Sequence, residues 1–184
     1  MLTYPIEVAG LKRDLPICRV SDDLYIGAFV IFGDVEMTVR CAEELLKKAP
    51  EFDYIIAPEC KSIPLLYEMS RQSGKKYFLA RKGPKLYMSG IFEVQVKSIT
   101  TEAVQKLVLD TADAEAMKGK RILVIDDVIS TGESLEAMEE LVNRAGGNIV
   151  GKMFILAEGD AAKRDDVTFL APLPLFNADG SVKK

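Results

Sequence analysis

The sequence predicts an α/β fold, a single domain over residues 1–184 in which a parallel twisted sheet is flanked by helices. Three observations carry this reading. Short apolar runs of strand length recur along the chain, and helical apolar stripes lie between them. One of those runs leads into two adjacent acids, then a hydroxyl- and glycine-bearing turn, then another helical stripe. Strand and helix in alternation imply βαβ units with right-handed crossovers, and ligands of such sheets gather at the carboxyl ends of the strands.

Taken in order, residues 1–34 are strand-like but irregular from Ile6 to Phe32, and are expected to form a small N-terminal hood beside the sheet. Val39, Ala42, Leu45 and Leu46 then share one helical face. The first buried strand is Tyr54–Ala57. Ile63, Leu66 and Met69 form the next helical stripe, which Gly74 ends. A second strand spans Tyr77–Ala80. After Arg81-Lys82-Gly83-Pro84 the rhythm breaks: Phe92–Ile99 and Val104–Leu109 read as paired strands of a β-rich flexible loop over residues 82–110. The alternation resumes with strand Ile122–Ile125 and the stripe Leu135, Met138, Leu141, Val142 and Ala145, closed by Gly146-Gly147. Runs at Ile149–Leu156 and Val167–Ala171 complete the sheet. Their Ile and Val content predicts strands covered on both faces.

A chain of 184 residues can bury one sizeable core and leaves room for only a small second lobe. Its 28 acids outnumber its 24 bases, and the bases are scattered, so no nucleic-acid partner is expected. Met1 to Pro5 lack a basic region followed by an apolar one, and no run is long enough to span a bilayer, so neither a signal peptide nor a membrane partner is expected. The expected location is cytoplasmic. Cys18, Cys41 and Cys60 are odd in number and widely spaced, which argues against a disulfide framework or zinc site; Cys18 and Cys41 suit buried apolar positions. With no histidine, Ser-His-Asp and Cys-His chemistry is excluded. Carboxylates, Lys, Arg, backbone amides or a hard metal must carry any reaction.

The stretch from Arg121 to Ser134 is the most informative. Backbone N–H groups and hydroxyls of Ser130–Ser134 at a helix N-terminus suit a phosphate, and Gly132 permits close approach. Asp126 and Asp127, as ionised carboxylates, suit a ribose diol or Mg²⁺ held through water. Each half alone would be an ordinary strand end and helix cap. Together they fit a sugar phosphate.

Ile122 to Ser134 resembles the thirteen-residue phosphoribosyl pyrophosphate (PRPP) motif of type I phosphoribosyltransferases, whose fold is a Rossmann-like parallel sheet. The resemblance implies that Asp126 and Asp127 are catalytic, contact the ribose hydroxyls and hold Mg²⁺. It also implies that Ser130, Thr131, Gly132, Glu133 and Ser134 surround the 5′-phosphate. The loop after the first buried strand sits where that family binds pyrophosphate, which assigns Glu59, Cys60, Lys61 and Ser62. Many family members have Gly where this chain has Ser62, and Lys61 also suits a solvated first-turn position. Arg81 and Lys82 resemble the basic pair that opens the family's catalytic loop, with Lys82 as a third catalytic residue and Lys85 and Tyr87 further along; the resemblance implies that Arg81, Lys82 and Lys85 bind the pyrophosphate, and closure of residues 82–98 would exclude water.

The order of segments, and the closing Pro172-Leu173-Pro174-Leu175-Phe176, resemble the adenine and xanthine branch. The implied reaction is purine salvage, adenine plus PRPP giving AMP and pyrophosphate, by a homodimer. The base is expected near Val128 and Ile129, under Phe29, Ile31 and Phe32, positions that equally suit core packing. Glu93 takes the place of the loop glutamate of adenine enzymes, although Gly90–Val94 departs from that loop. A non-catalytic PRPP-sensing regulator and an enzyme for xanthine, hypoxanthine or guanine are the alternatives. A phosphoacceptor receiver domain is disfavoured, because its acids should follow the first strand.

Overall fold

The computed structural model describes residues 2–97 and 104–183. The chain begins with β1 (Thr3–Val8), β2 (Leu11–Arg19) and β3 (Tyr25–Gly27), followed by α1 (Val35–Lys48), β4 (Tyr54–Pro58), α2 (Ile63–Ser73) and β5 (Tyr77–Ala80). Next come β6 (Ile91–Lys97), β7 (Val104–Asp110), α3 (Thr111–Met117), β8 (Arg121–Ile129), α4 (Glu133–Arg144) and β9 (Asn148–Glu158). After a short 3₁₀ turn at Gly159–Lys163 come β10 (Thr168–Leu173) and β11 (Leu175–Phe176), the last of the elements.

Five strands form the central parallel sheet in the order β10-β9-β8-β4-β5. Strand β8 lies in its middle and divides two cores by alternation, since successive side chains leave a strand on opposite faces. Leu123 and Ile125 pack with α1, α2 and the hood, while Ile122 and Val124 pack with α3, α4, β6 and β7. Both faces are therefore covered, as the apolar runs predict.

Helix α1 is capped by Asp34, whose carboxylate accepts from the Met37 amide at 3.1 Å and from Arg13 Nε of β2 at 2.7 Å, tying hood to helix. Its buried face is Met37, Cys41, Ala42 and Leu45; Val39 and Leu46 sit at the margin. Gly74 closes α2 in the left-handed conformation and Gly146 (φ 78°) follows α4, both at the expected stops.

The hood is an antiparallel sheet in the order β1-β2-β3-β11. Its fourth strand comes from the far end of the chain. Strands β6 and β7 pair antiparallel, with Val94, Leu107 and Leu109 buried, so the described hairpin is seated on the core and the mostly exposed part of the excursion is its opening at residues 82–90. The predicted strand to Ile99, and closure as far as residue 98, reach beyond the described residues.

Several expectations are corrected. Ile63 faces solvent, because the buried stripe of α2 runs through Leu65, Leu66 and Met69. Cys18 is exposed near the end of β2, whose last two residues both face solvent; Cys41 is buried. Helix α3 was not expected: its Ala114 and Met117 are too few to make a visible stripe. Asp126 and Asp127 lie inside β8 rather than at its end, since pairing with β9 continues to Ile129 whereas pairing with β4 stops at Val124.

Candidate functional site

That unequal pairing shapes the site. Beyond Val124 the β4 side of β8 opens, and the carboxyl ends of β4, β8 and β9 surround the opening. Asp127 is buried at 4 % exposure and its Oδ2 makes no hydrogen bond; Lys61 Nζ, from the loop after β4, stands 3.5 Å from it. Asp126 Oδ1 accepts from the Asp127 amide at 2.9 Å. Burial, and then the charge of Asp127, push the Asp126 carboxyl well above the usual carboxylate range. Two crowded, under-paired carboxylates make a place for a cation or for hydroxyl donors.

The turn Ser130–Gly132 leads into α4, with Gly132 as N-cap at φ 90°, ψ −5°. A cavity of about 150 Å³ is lined by Asp126, Ser130, Thr131, Gly132, Glu133 and Ser134, with Val128, Ile129, Leu135, Phe154 and Gln105. All five predicted phosphate-loop residues are thus brought together with Asp126. Gln105 of β7 was not foreseen, because only the seating of the hairpin on α4 brings it there.

A second cavity, about 240 Å³, lies between hood and sheet and is lined by Ile26–Val30, Lys61, Val128, Ser130, Glu158 and Leu173. It shares Val128 and Ser130 with the first. Of the expected base contacts, Val128 and Phe29 line it. Ile31 (1 % exposed) and Ile129 (3 %) are buried in the two cores, and half-exposed Phe32 is outside the lining. Glu158 ends β9 and was not anticipated: its signal is an acid directly after the apolar run Met153–Ala157. Burial raises its carboxyl above the ordinary value, with Lys61 acting in the opposite direction.

In the loop after β4 the Glu59–Cys60 peptide is cis. Ser62 is fully buried with its hydroxyl donated to the Pro58 carbonyl, so only its backbone is available to a ligand. Cys60 and Lys61 are exposed. The Glu59 side chain turns to the basic pair instead of an anion: Oε1 accepts from the Lys82 amide at 2.8 Å and Oε2 lies 3.4 Å from Arg81 Nη1. In this arrangement the Glu59 side chain supports the basic pair. Arg81 also approaches the Tyr87 ring at 5.6 Å and bridges Val108 through its backbone. Lys82 and Lys85 are exposed. Glu93 is held by Lys106 at 2.6 Å and Gln95, on the hairpin and outside the lining of both cavities.

One further group was hidden from the sequence. Arg164 binds Asp166 through Nε (2.9 Å) and Nη2 (2.8 Å), and Asp166 also takes Lys152. The remaining Nη1 stands 2.9 Å from where a Cβ on Gly132 would be. A guanidinium thus abuts the phosphate loop, 32 residues along the chain from its glycine.

An open parallel sheet with paired acids in its central strand and an anion loop at the following helix defines a sugar-phosphate-binding class of α/β protein. The phosphoribosyl transferase domain profile matches residues 39–174, and the chain belongs to that family of enzymes. The adenine phosphoribosyltransferase of Thermotoga petrophila is 32% identical over 137 residues, 69% of this chain and 77% of that protein. The orotate phosphoribosyltransferase of a Thermoanaerobacter species is 30% identical over 156 residues, 84% of this chain and 71% of that protein. Among solved structures, adenine phosphoribosyltransferase from Rhodothermus marinus superposes with TM-score 0.64 at 18% identity, covering 93% of this chain and 94% of that one; this likeness concerns the fold.

Proposed function

We propose that the chain transfers the phosphoribosyl group of PRPP to adenine, giving AMP and pyrophosphate. The observation that carries the reading is the pair of adjoining cavities sharing Val128 and Ser130, one lined by the phosphate loop and Asp126, the other by apolar hood residues. A ribose 5-phosphate in the first would present its anomeric carbon to a flat base in the second. Adenine is favoured among bases by the adenine phosphoribosyltransferases among the relatives, of which that of Thermosipho africanus aligns over 82% of this chain at 27% identity.

In this reading the amides of the turn and the N-terminus of α4 hold the 5′-phosphate, and Asp126 and Asp127 accept from the ribose hydroxyls. Lys61, Arg81 and Lys82 face the departing pyrophosphate, whose charge they offset. The apolar walls of the second cavity, with a base seated in it, would keep water from the oxocarbenium-like centre. Mg²⁺ fits the acid pair: both are hard oxygen donors, and the buried Asp127 Oδ2 lacks a hydrogen bond. Among the described residues no cluster of three potential ligands exists, so PRPP oxygens and water would complete the shell. Bound there, Mg²⁺ supplies charge neutralisation of the pyrophosphate.

No helix among the described residues is long and apolar enough to cross a membrane. The three free thiols suit the reducing cytoplasm, and exposed Val30, Phe32 and Val35 offer apolar surface to a second copy in a homodimer. The test is incubation with PRPP, Mg²⁺ and adenine, guanine, hypoxanthine, xanthine or orotate, followed by nucleotide detection. AMP as the main product is expected. Tight PRPP binding with no nucleotide from any base would instead favour a PRPP-sensing regulator.

A further inference from the structure

Glu158 is the acidic group in the lining of a largely apolar cavity. Phe29, Val30, Val128 and Leu173 supply the walls, and Lys61 is the one base among the lining residues. Lys61 is already directed to Asp127 at 3.5 Å. The Glu158 carboxyl has no hydrogen bond or ion pair among the described residues, although it is half-buried at the last position of β9. Its backbone is fixed on one side by the β9–β10 ladder, where it pairs with Leu173, and is followed by the 3₁₀ turn. A half-buried carboxyl that lines a cavity without a protein partner is served by water, and a ligand that displaces that water must supply a donor in its place or leave the carboxyl unpaired.

From this we infer that Glu158 is a specificity-determining residue, accepting a hydrogen bond from the exocyclic amine of the incoming base. The inference rests on the transferase reading above and deepens it by naming the acceptor class as an amino-substituted heterocycle. The physical reason is selective in both directions. An amine donates to the carboxylate. The carbonyl oxygen of an oxo-base at the same place would meet it acceptor to acceptor, and the carboxylate of orotate would meet it charge to charge. That distinction matters here, because adenine and orotate enzymes both stand among the relatives at similar identity.

Burial lifts the Glu158 carboxyl above its ordinary value, the direction expected for a group short of donors before the base arrives.

The experiment compares wild type, Glu158→Gln and Glu158→Ala with adenine, unsubstituted purine, hypoxanthine and orotate, alongside calorimetric titration with PRPP and Mg²⁺ alone. Gln keeps the shape but can turn an N–H toward a carbonyl. The ratio of kcat/KM for adenine to that for hypoxanthine should fall about ten- to a hundredfold in Glu158→Gln. In Glu158→Ala the advantage of adenine over unsubstituted purine should largely vanish. PRPP affinity should stay within about twofold in both variants, a pattern that a general loss of folding would not give. If wild type uses adenine and the variants keep its preferences, the Glu158 assignment is wrong while the transferase reading stands. If wild type makes no nucleotide from any base, both fall together.

Discussion

Gly132 carries two constraints at once. Its φ of 90° is a region that side chains adopt at a cost of about 1–2 kcal/mol, and a Cβ there would come within 2.9 Å of Arg164 Nη1. That guanidinium is not free to swing away, because its other two nitrogens are committed to Asp166, whose carboxyl is held below the usual range by Arg164 and Lys152. Gly132→Ala should therefore distort the turn more than it destabilises the fold. The expected outcome is a KM for PRPP raised at least about tenfold, the equivalent of roughly 1.4 kcal/mol, with thermal unfolding within a few degrees of wild type. Pairing it with Arg164→Ala separates the causes: if relieving the contact restores PRPP binding, crowding dominates, and if not, the backbone conformation does.

Strands β4 and β8 are fastened at their amino ends, opposite the site. Asp53 Oδ2 accepts from the Arg121 amide at 2.8 Å, the Asp53 amide donates to the Arg121 carbonyl at 2.8 Å, and Arg121 Nη2 reaches Asp53 Oδ1 at 3.0 Å. The Arg121 side chain, then its amide, lower the Asp53 carboxyl to about 2. A carboxyl whose folded value lies below its unfolded one contributes stability above the unfolded value, here the ordinary 3.8, and loses it as pH falls through about 2. Asp53→Asn should accordingly lower Tm at pH 7, and the gap to wild type should narrow between pH 4 and 2; a gap independent of pH would show that packing, not charge, is responsible. How well each element could be read beforehand follows from how local its signal is. The segment Ile122–Ser134 was legible because its acids, hydroxyls and glycine are contiguous, and β4, β5, β8, β9 and β10 because each carries a strand-length, largely apolar run. Glu158, Arg164 and Gln105 were not, since only sheet order and hairpin docking bring Glu158 to the hood cavity and Arg164 and Gln105 to the loop. Ile31 and Ile129 suited base contact and core equally in the sequence, because an aliphatic residue near a site carries no mark of the face it takes; both are buried in the cores, and Ile129 also lines the phosphate-loop cavity.

Across the whole molecule, the wall of the cavity proposed for the base depends on a contact between the two ends of the chain. Strand β11 adds Leu175 and Phe176 to the hood against β3, so residues beyond 170 hold a sheet that begins at residue 3. Two residues are too short to announce a strand, and the sequence showed here only a proline-flanked apolar run. Phe176 is completely buried, its ring 5.0 Å from that of Tyr4, and it comes within 3.5 Å of where a side chain on Gly27 would begin. Gly27 and its neighbours to Val30 line the cavity, whereas the phosphate loop belongs to the central sheet and has no part in this contact. Phe176→Ala should cost about 3–5 kcal/mol where it unfolds the hood together with the rest. At temperatures where the variant remains folded, loosening of β3 should raise KM for adenine severalfold while KM for PRPP changes little. Steady-state kinetics with each substrate varied in turn will decide. An equal rise in both constants would mean that hood and sheet respond as one rigid body, and that the base cavity has no mechanical independence from the phosphate loop.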